Sequence, residues 1–237
     1  MPGFGLPVLA VLPARFGSTR LPAKALADIH GAPMVVRTWE RTLRAEVDRV
    51  VVATDHSDIA EVVRAAGGEV VMTGACHSGT DRVAEAARVL GWTGPVINVQ
   101  GDEPMVHPEI VSTVANALRQ GAQIATVSTP YVGDPRTPSR VKVVTREDGR
   151  ALYFSRQPIP TGGPYVQHLG IYGFQAPVLQ TVAALPIGSL ERSESLEQLR
   201  WMYAGFDILV LSVPYGSPAV DTPDDLDAMR AIWHALP

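Results

Sequence analysis

With 237 residues, the chain can bury one sizeable core, and its 46% hydrophobic and 19% charged content excludes intrinsic disorder. A net charge of −4 argues against general nucleic-acid binding, and no apolar run approaches the ~20 residues of a membrane-spanning helix. The single cysteine, Cys76, excludes an intramolecular disulfide and fits a reducing cytoplasm, and the six histidines follow no zinc spacing.

The first element expected is a strand from Val8 to Leu12, an apolar run suited to burial on both faces of a parallel sheet. No cationic start or cleavage site precedes Arg15, so no secretory signal is expected. Pro13, lacking an N–H, should stop the ladder. The loop that follows carries Arg15, Gly17, Ser18, Thr19, Arg20 and Lys24. Its backbone N–H groups and cations suit a polyphosphate, although a solvated loop is the competing reading. Neither G-x-x-x-x-G-K-S/T nor G-x-G-x-x-G follows this strand, which excludes the familiar nucleotide loops.

Pro33 should open a helix carrying Met34, Val35, Thr38, Trp39 and Leu43. A strand from Val50 to Ala53, a helix from Ile59 to Ala66 closed by Gly67-Gly68, and a strand from Val70 to Met72 complete a β-α-β-α-β series. The turn-rich segment 73–82 enters a helix expected over Val83 to Leu90, capped by Thr80 or Ser78. It also brings hydroxyls and Arg82 to a strand's C-terminal end, where open α/β sheets bind ligands. A strand from Val96 to Val99 delivers Gln100, Gly101 and Asp102 to the same edge. Asp102 there suits a hard divalent cation beside phosphate, or simply caps the helix near Pro108.

A helix over Glu109 to Leu118 and a strand over Ile124 to Ser128 follow. Residues 129–167 are rich in Pro and Gly around two short β-like runs, 141–144 and 151–154, which suggests a hairpin insertion facing an acceptor. Arg156 follows the second run. Next come a glycine-containing strand over 168–174, a helix from Pro177 to Ala184, and one continuous helix from Ser189 to Tyr203. On that helix Glu194, Glu197 and Gln198 would share a side. The last strand runs from Ile208 to Val213, and Thr222, Pro223 and Asp225 form a helix start just after Asp221. The pattern predicts one α/β domain over 1–237, Rossmann-like, with a mostly parallel central sheet flanked by helices. Residues 129–175 form a β-rich subregion within it.

Nine segments, taken in order, carry a resemblance: P-A-R-F-G-S-T-R-L-P-A-K (13–24), V-V-V-A-T-D (50–55), S-G-T-D-R (78–82), I-N-V-Q-G-D-E-P-M (97–105), V-K-V-V (141–144), A-L-Y-F-S-R (151–156), H-L-G-I-Y-G (168–173), S-L-E-Q-L-R (195–200) and V-D-T-P-D-D-L (220–226). Together they resemble the 3-deoxy-manno-octulosonate (Kdo) cytidylyltransferases, a family of sugar nucleotidyltransferases. The resemblance implies transfer of CMP from CTP to an acidic 3-deoxy-2-ulosonic acid, with pyrophosphate released. It implies that Ala14, Arg15, Ser18, Arg20 and Lys24 grip the triphosphate. Thr73, Ser78 and Arg82 would hold the nucleotide, and Gln100 would lie at the cytosine. Asp102 and Asp221 would bind Mg²⁺ and, with Arg15 and Lys24, make up the catalytic set. Arg156, His168, Tyr172, Glu197 and Gln198 would form the acidic-sugar pocket. A homodimer built through the insertion is implied, with no membrane or nucleic-acid partner.

The chain departs from the family pattern in a short segment before His168, in Gln167 for a basic residue, and in Cys76 for an acidic one. Amino-Kdo and sialic acid therefore stand as alternative acceptors, and a catalytically idle nucleotide-binding relative as the alternative from another class.

Overall fold

The computed structural model describes residues 6–18 and 20–233; Thr19 of the cationic loop lies outside them. Strands β1 (Leu9–Ala14), β4 (Arg49–Thr54) and β5 (Glu69–Met72), with β2 (Asp28–Ile29) and β3 (Ala32–Pro33) as a small separate ribbon, belong to the first third of the chain. Strands β6 (Val96–Asn98), β7 (Ile124–Pro130), β8 (Lys142–Thr145), β9 (Ala151–Ser155), β10 (Val166–Phe174) and β11 (Leu209–Ser212) follow. The main sheet has the order β11-β7-β10-β6-β1-β4-β5, with the β8–β9 hairpin attached through β10. All pairings on the main path are parallel except those of β10, which runs antiparallel to both β6 and β7.

The apolar runs explain why β1 and β4 lie centrally. Ala10, Leu12, Val50 and Val52 face one core, and Leu9, Val11, Val51 and Ala53 face the other. Helices α1 (Met34–Thr42), α2 (Ser57–Ala65) and α4 (Pro108–Arg119) cover the first face. Helices α3 (Gly79–Val89), α5 (Ala176–Ala183) and α7 (Gln198–Tyr203) cover the second. Helix α8 (Pro223–Trp233) docks Leu226 and Met229 with Val220 against Ile29 and Met34. This third cluster brings the C-terminal segment back to the cationic loop.

Three sequence expectations are corrected. Pro13 does not stop β1: it pairs with Ala53, and the strand continues to Ala14↔Thr54. The β6 side is already unpaired beyond Val11↔Asn98, so proline sits where one ladder has ended. Helix α3 starts at Gly79, four residues before Val83, because Ser78 and Asp81 form a reciprocal capping box. The helix expected over 189–203 is broken into α6 (Ser189–Glu194) and α7, with Ser195 in the left-handed region at φ 52°. Glu194 therefore does not share a helix face with Glu197 and Gln198. Asp102 caps no helix, since α4 is entered from His107.

Candidate active site

A cavity of about 370 Å³ opens at the C-terminal end of β1, where the sheet order turns toward β4 on one side and β6 on the other. Of the sequence-predicted residues, Ala14, Arg15, Ser18, Arg20, Lys24, Ser78, Arg82, Gln100, Asp102 and Asp221 line it. Cys76, His77 and Gly79 of the 73–82 segment and Gly101, all expected at this sheet edge, also line it, whereas Pro13 and Ala25 belong to its wall without having been assigned there from the sequence. Gly101 packs against β1, and a Cβ there would sit 2.9 Å from the Pro13 carbonyl oxygen.

Lys24 is the hub. Its Nζ donates to Asp102 Oδ2 at 2.6 Å and Asp221 Oδ1 at 3.0 Å, joining positions 78 and 197 residues away. Burial alone would lower the Lys24 pKa, but the two carboxylates outweigh it and raise it above the ordinary lysine value. The ammonium is therefore charged at neutral pH. Ala23, immediately before it, takes φ 53°, a left-handed conformation that costs roughly 1–2 kcal/mol for a residue with a Cβ. This turn ends the loop and points Lys24 inward, and no residue type in the motif announces it.

Arg20 also pairs with Asp221, at 3.0 Å, whereas Arg15 makes no ion pair among the described residues. The loop is braced by Phe16, which stacks on His56 with ring centroids 3.9 Å apart. Arg82 is buried and committed: it donates to Asp55 Oδ2 at 2.7 Å and to Thr73 Oγ1. Thr73 thus acts on the cavity through Arg82 and does not line it. Gln100 Nε2 donates to the Gly170 carbonyl at 3.0 Å, which leaves its Oε1 as an acceptor. Beside Asp102, burial and the Asp102 charge push the Glu103 carboxyl up to about 8.

Asp102 and Asp221 converge within hydrogen-bond distance of one atom, and carboxylate oxygens are the donors a hard divalent cation prefers. Among the described residues no group of three or more His, Cys, Asp or Glu could hold a metal. The two carboxylates could hold a divalent cation such as Mg²⁺ only as part of a site, with its remaining ligands supplied from elsewhere.

The residues expected in the sugar pocket lie outside this cavity. Arg156 donates Nε to Glu194 O, Nη1 to Pro138 O and Nη2 to Ser195 O. Glu197 accepts from Ser78 Oγ at 2.9 Å, Thr80 Oγ1 at 2.8 Å and Arg200 Nη2 at 2.6 Å, so it reaches the cavity wall through Ser78. The Tyr172 hydroxyl and Gln198 Nε2 are buried without a hydrogen-bond partner among the described residues. Burial, with the Glu197 charge, pushes the Tyr172 phenol well up, so it stays a neutral donor.

His168 is buried beside Phe154 and Tyr172, with Nε2 3.0 Å from Thr126 Oγ1, and burial lowers its pKa to about 3. The unfolded chain, with an ordinary histidine pKa near 6.5, binds a proton that the native state refuses. This stability is intact above about pH 6.5 and erodes as pH falls toward 3, by about 1.4 kcal/mol per unit. Urea unfolding between pH 7.5 and 5 is expected to show a shallower loss for His168→Asn than for the wild type. Equal slopes would place the proton elsewhere.

A switch-point cavity with a cationic loop on one side and two convergent carboxylates on the other defines a nucleotidyltransferase of the α/β class. A family profile described as cytidylyltransferase matches residues 9–208. The 3-deoxy-manno-octulosonate cytidylyltransferase of Anaeromyxobacter dehalogenans (strain 2CP-C) is 49% identical, over 96% of this chain and 98% of its own. That of Erwinia tasmaniensis is 44% identical, over 94% and 98%. A solved CMP:2-keto-3-deoxy-manno-octonic acid synthetase complexed with CTP superposes with TM-score 0.92 at 40% identity, covering 97% of this chain and 99% of that one. A 4-diphosphocytidyl-2C-methyl-D-erythritol synthase from Anaerococcus prevotii shares the fold, with TM-score 0.68 at 15% identity. The chain belongs to the 3-deoxy-manno-octulosonate cytidylyltransferase family.

Proposed function

We propose that this protein joins CTP to the anomeric hydroxyl of 3-deoxy-D-manno-octulosonate, giving the CMP-sugar and pyrophosphate. The observation that carries the reading is Lys24 held between Asp102 and Asp221 in the wall of a cavity that Arg15 and Arg20 also line. Two anionic substrates repel, so the site must supply positive charge where they meet. Arg15, Ser18, Arg20 and Lys24 take the triphosphate, and Lys24 offsets charge growing on the departing pyrophosphate. Gln100 Oε1 accepts from the cytosine amino group, which uracil lacks. Asp102 and Asp221 would hold Mg²⁺, which would supply Lewis-acid stabilisation when bound.

The sugar hydroxyl loses its proton to solvent as its oxygen attacks the α-phosphorus in line and the bond to pyrophosphate breaks, with no covalent enzyme intermediate. Tyr172 and Gln198, two buried donors in want of acceptors, suit the carboxylate and hydroxyls of an acidic sugar. Exposed Val132 and Leu152 on the insertion support pairing of two copies there. Among the described residues no helix is long and apolar enough to cross a membrane; the reading places the reaction in the cytoplasm.

The test is pyrophosphate release from CTP and Mg²⁺ with Kdo, amino-Kdo or N-acetylneuraminate, and with UTP in place of CTP. Release with Kdo and CTP is expected. Turnover with another acid alone would move the acceptor assignment, and no release despite CTP binding would leave an idle relative.

A further inference from the structure

The Arg156 guanidinium, expected to contact the sugar, is spent on the protein's own backbone. Each of its three nitrogens donates to a carbonyl: Glu194 O at 2.8 Å, Pro138 O at 2.9 Å and Ser195 O at 3.1 Å. Its backbone N–H donates to Glu194 Oε2 at 3.0 Å, and Ser155 Oγ donates to Glu194 Oε1 at 2.7 Å. Its own carbonyl accepts from Lys142 Nζ at 2.6 Å. Lys142 is fully buried and also donates to the Thr137 and Arg140 carbonyls. Three segments are therefore tied by one polar knot: the insertion around 137–142, the end of β9, and the break between α6 and α7.

We infer that Arg156, Glu194 and Lys142 form a clamp that holds the α6–α7 break open and so positions Glu197 and Gln198. The inference rests on the reading of those two as acceptor-pocket residues. Its physical basis is the break itself. The pattern of apolar residues from Leu190 to Met202 favours an unbroken helix, in which the carbonyls of 194 and 195 would take the N–H groups of 198 and 199. Arg156 takes those carbonyls instead, at a helix C-terminus where a cation is favoured. Ser195 in the left-handed region is tolerated only where surroundings over-determine it, and the knot does so. Beyond the break, Leu196 is buried and Glu197 turns to Ser78 and Thr80 on the nucleotide side. Arg156 is a positioning residue in this arrangement, and its partners 38 residues away act with it.

The experiment compares wild type, Arg156→Lys, Glu194→Gln and the mild Ser155→Ala, with steady-state KM for Kdo and for CTP and with amide hydrogen exchange over 189–203. All three variants are expected to raise the Kdo KM, about ten- to hundredfold for Arg156→Lys and Glu194→Gln, because misplacing a binding group by about 1 Å has effects of that order. The CTP KM should stay within about twofold, and exchange should quicken at 196–199. A rise in Kdo KM for Arg156→Lys alone, with Glu194→Gln and Ser155→Ala unchanged, would assign Arg156 to direct contact and overturn the clamp. A matching rise in CTP KM would overturn it too. If the wild type uses no ulosonic acid, the functional reading falls, while unchanged exchange in Ser155→Ala and Glu194→Gln would separately sink the clamp.

Discussion

Asp102→Asn is expected to lower kcat/KM by about 10³-fold, equivalent to about 4 kcal/mol of transition-state stabilisation. The substitution is nearly isosteric, and the remaining amide oxygen can still accept from Lys24. What is lost is half the charge of the one carboxylate pair that, among the described residues, faces the cationic loop in the cavity wall. The Asp102 side chain is 28% exposed, so the fold should tolerate the change with little loss of thermal stability. Initial rates across a range of Mg²⁺ concentrations provide the measurement, and raised Mg²⁺ should recover part of the loss. The neighbouring carboxyl supplies the contrast. With a pKa pushed up to about 8, Glu103 holds its proton at pH 7, so Glu103→Gln should change the rate little there. A defect below tenfold for Asp102→Asn at limiting Mg²⁺ would remove Asp102 from the metal site.

The largest effect on stability is expected from Trp201→Ala, about 3–5 kcal/mol. Trp201 is fully buried on α7 and meets Tyr172 edge-to-face at 5.0 Å and Phe174 at 5.2 Å. Its indole Nε1 has no hydrogen-bond partner among the described residues, so the cost is cavity and lost packing, not a broken polar contact. For a chain of this size the melting temperature should drop by on the order of 10 °C. Because α7 begins at Gln198, residual folded protein should also bind the acceptor more weakly. A loss below about 1 kcal/mol in urea unfolding would show that the aromatic cluster repacks around the gap.

Much of the fold was legible because its signals are local. Val8 to Leu12 and Val50 to Ala53 read as two-faced strands, and both proved to be central. Thr222 and Asp225 read as a helix start and make the reciprocal bonds expected of one, with Thr222 N–H to Asp225 Oδ2 at 2.8 Å. The hairpin over 141–154 was marked by its turn, where Gly149 takes φ 83°. The unbroken helix over 189–203 was misread for the opposite reason: its periodicity is helical, but Arg156 from another element claims its carbonyls. Pro13 was misread because whether proline ends a strand depends on which side has a neighbour. The cationic loop was marked by its residue types, yet its bracing by Phe16 on His56 and the left-handed turn at Ala23 carry no sequence signal.

The sequence by itself determined the alternation of elements, the presence of a cation-rich loop on a strand end, and the family, since each rests on residue order and short-range pattern. Tertiary structure alone decided that Lys24 meets Asp102 and Asp221, that Arg82 is anchored by Asp55, and that Arg156 serves the backbone. These contacts join residues 27 to 197 positions apart. No local propensity encodes them, because they exist only once sheet order and helix packing have brought the segments to one edge.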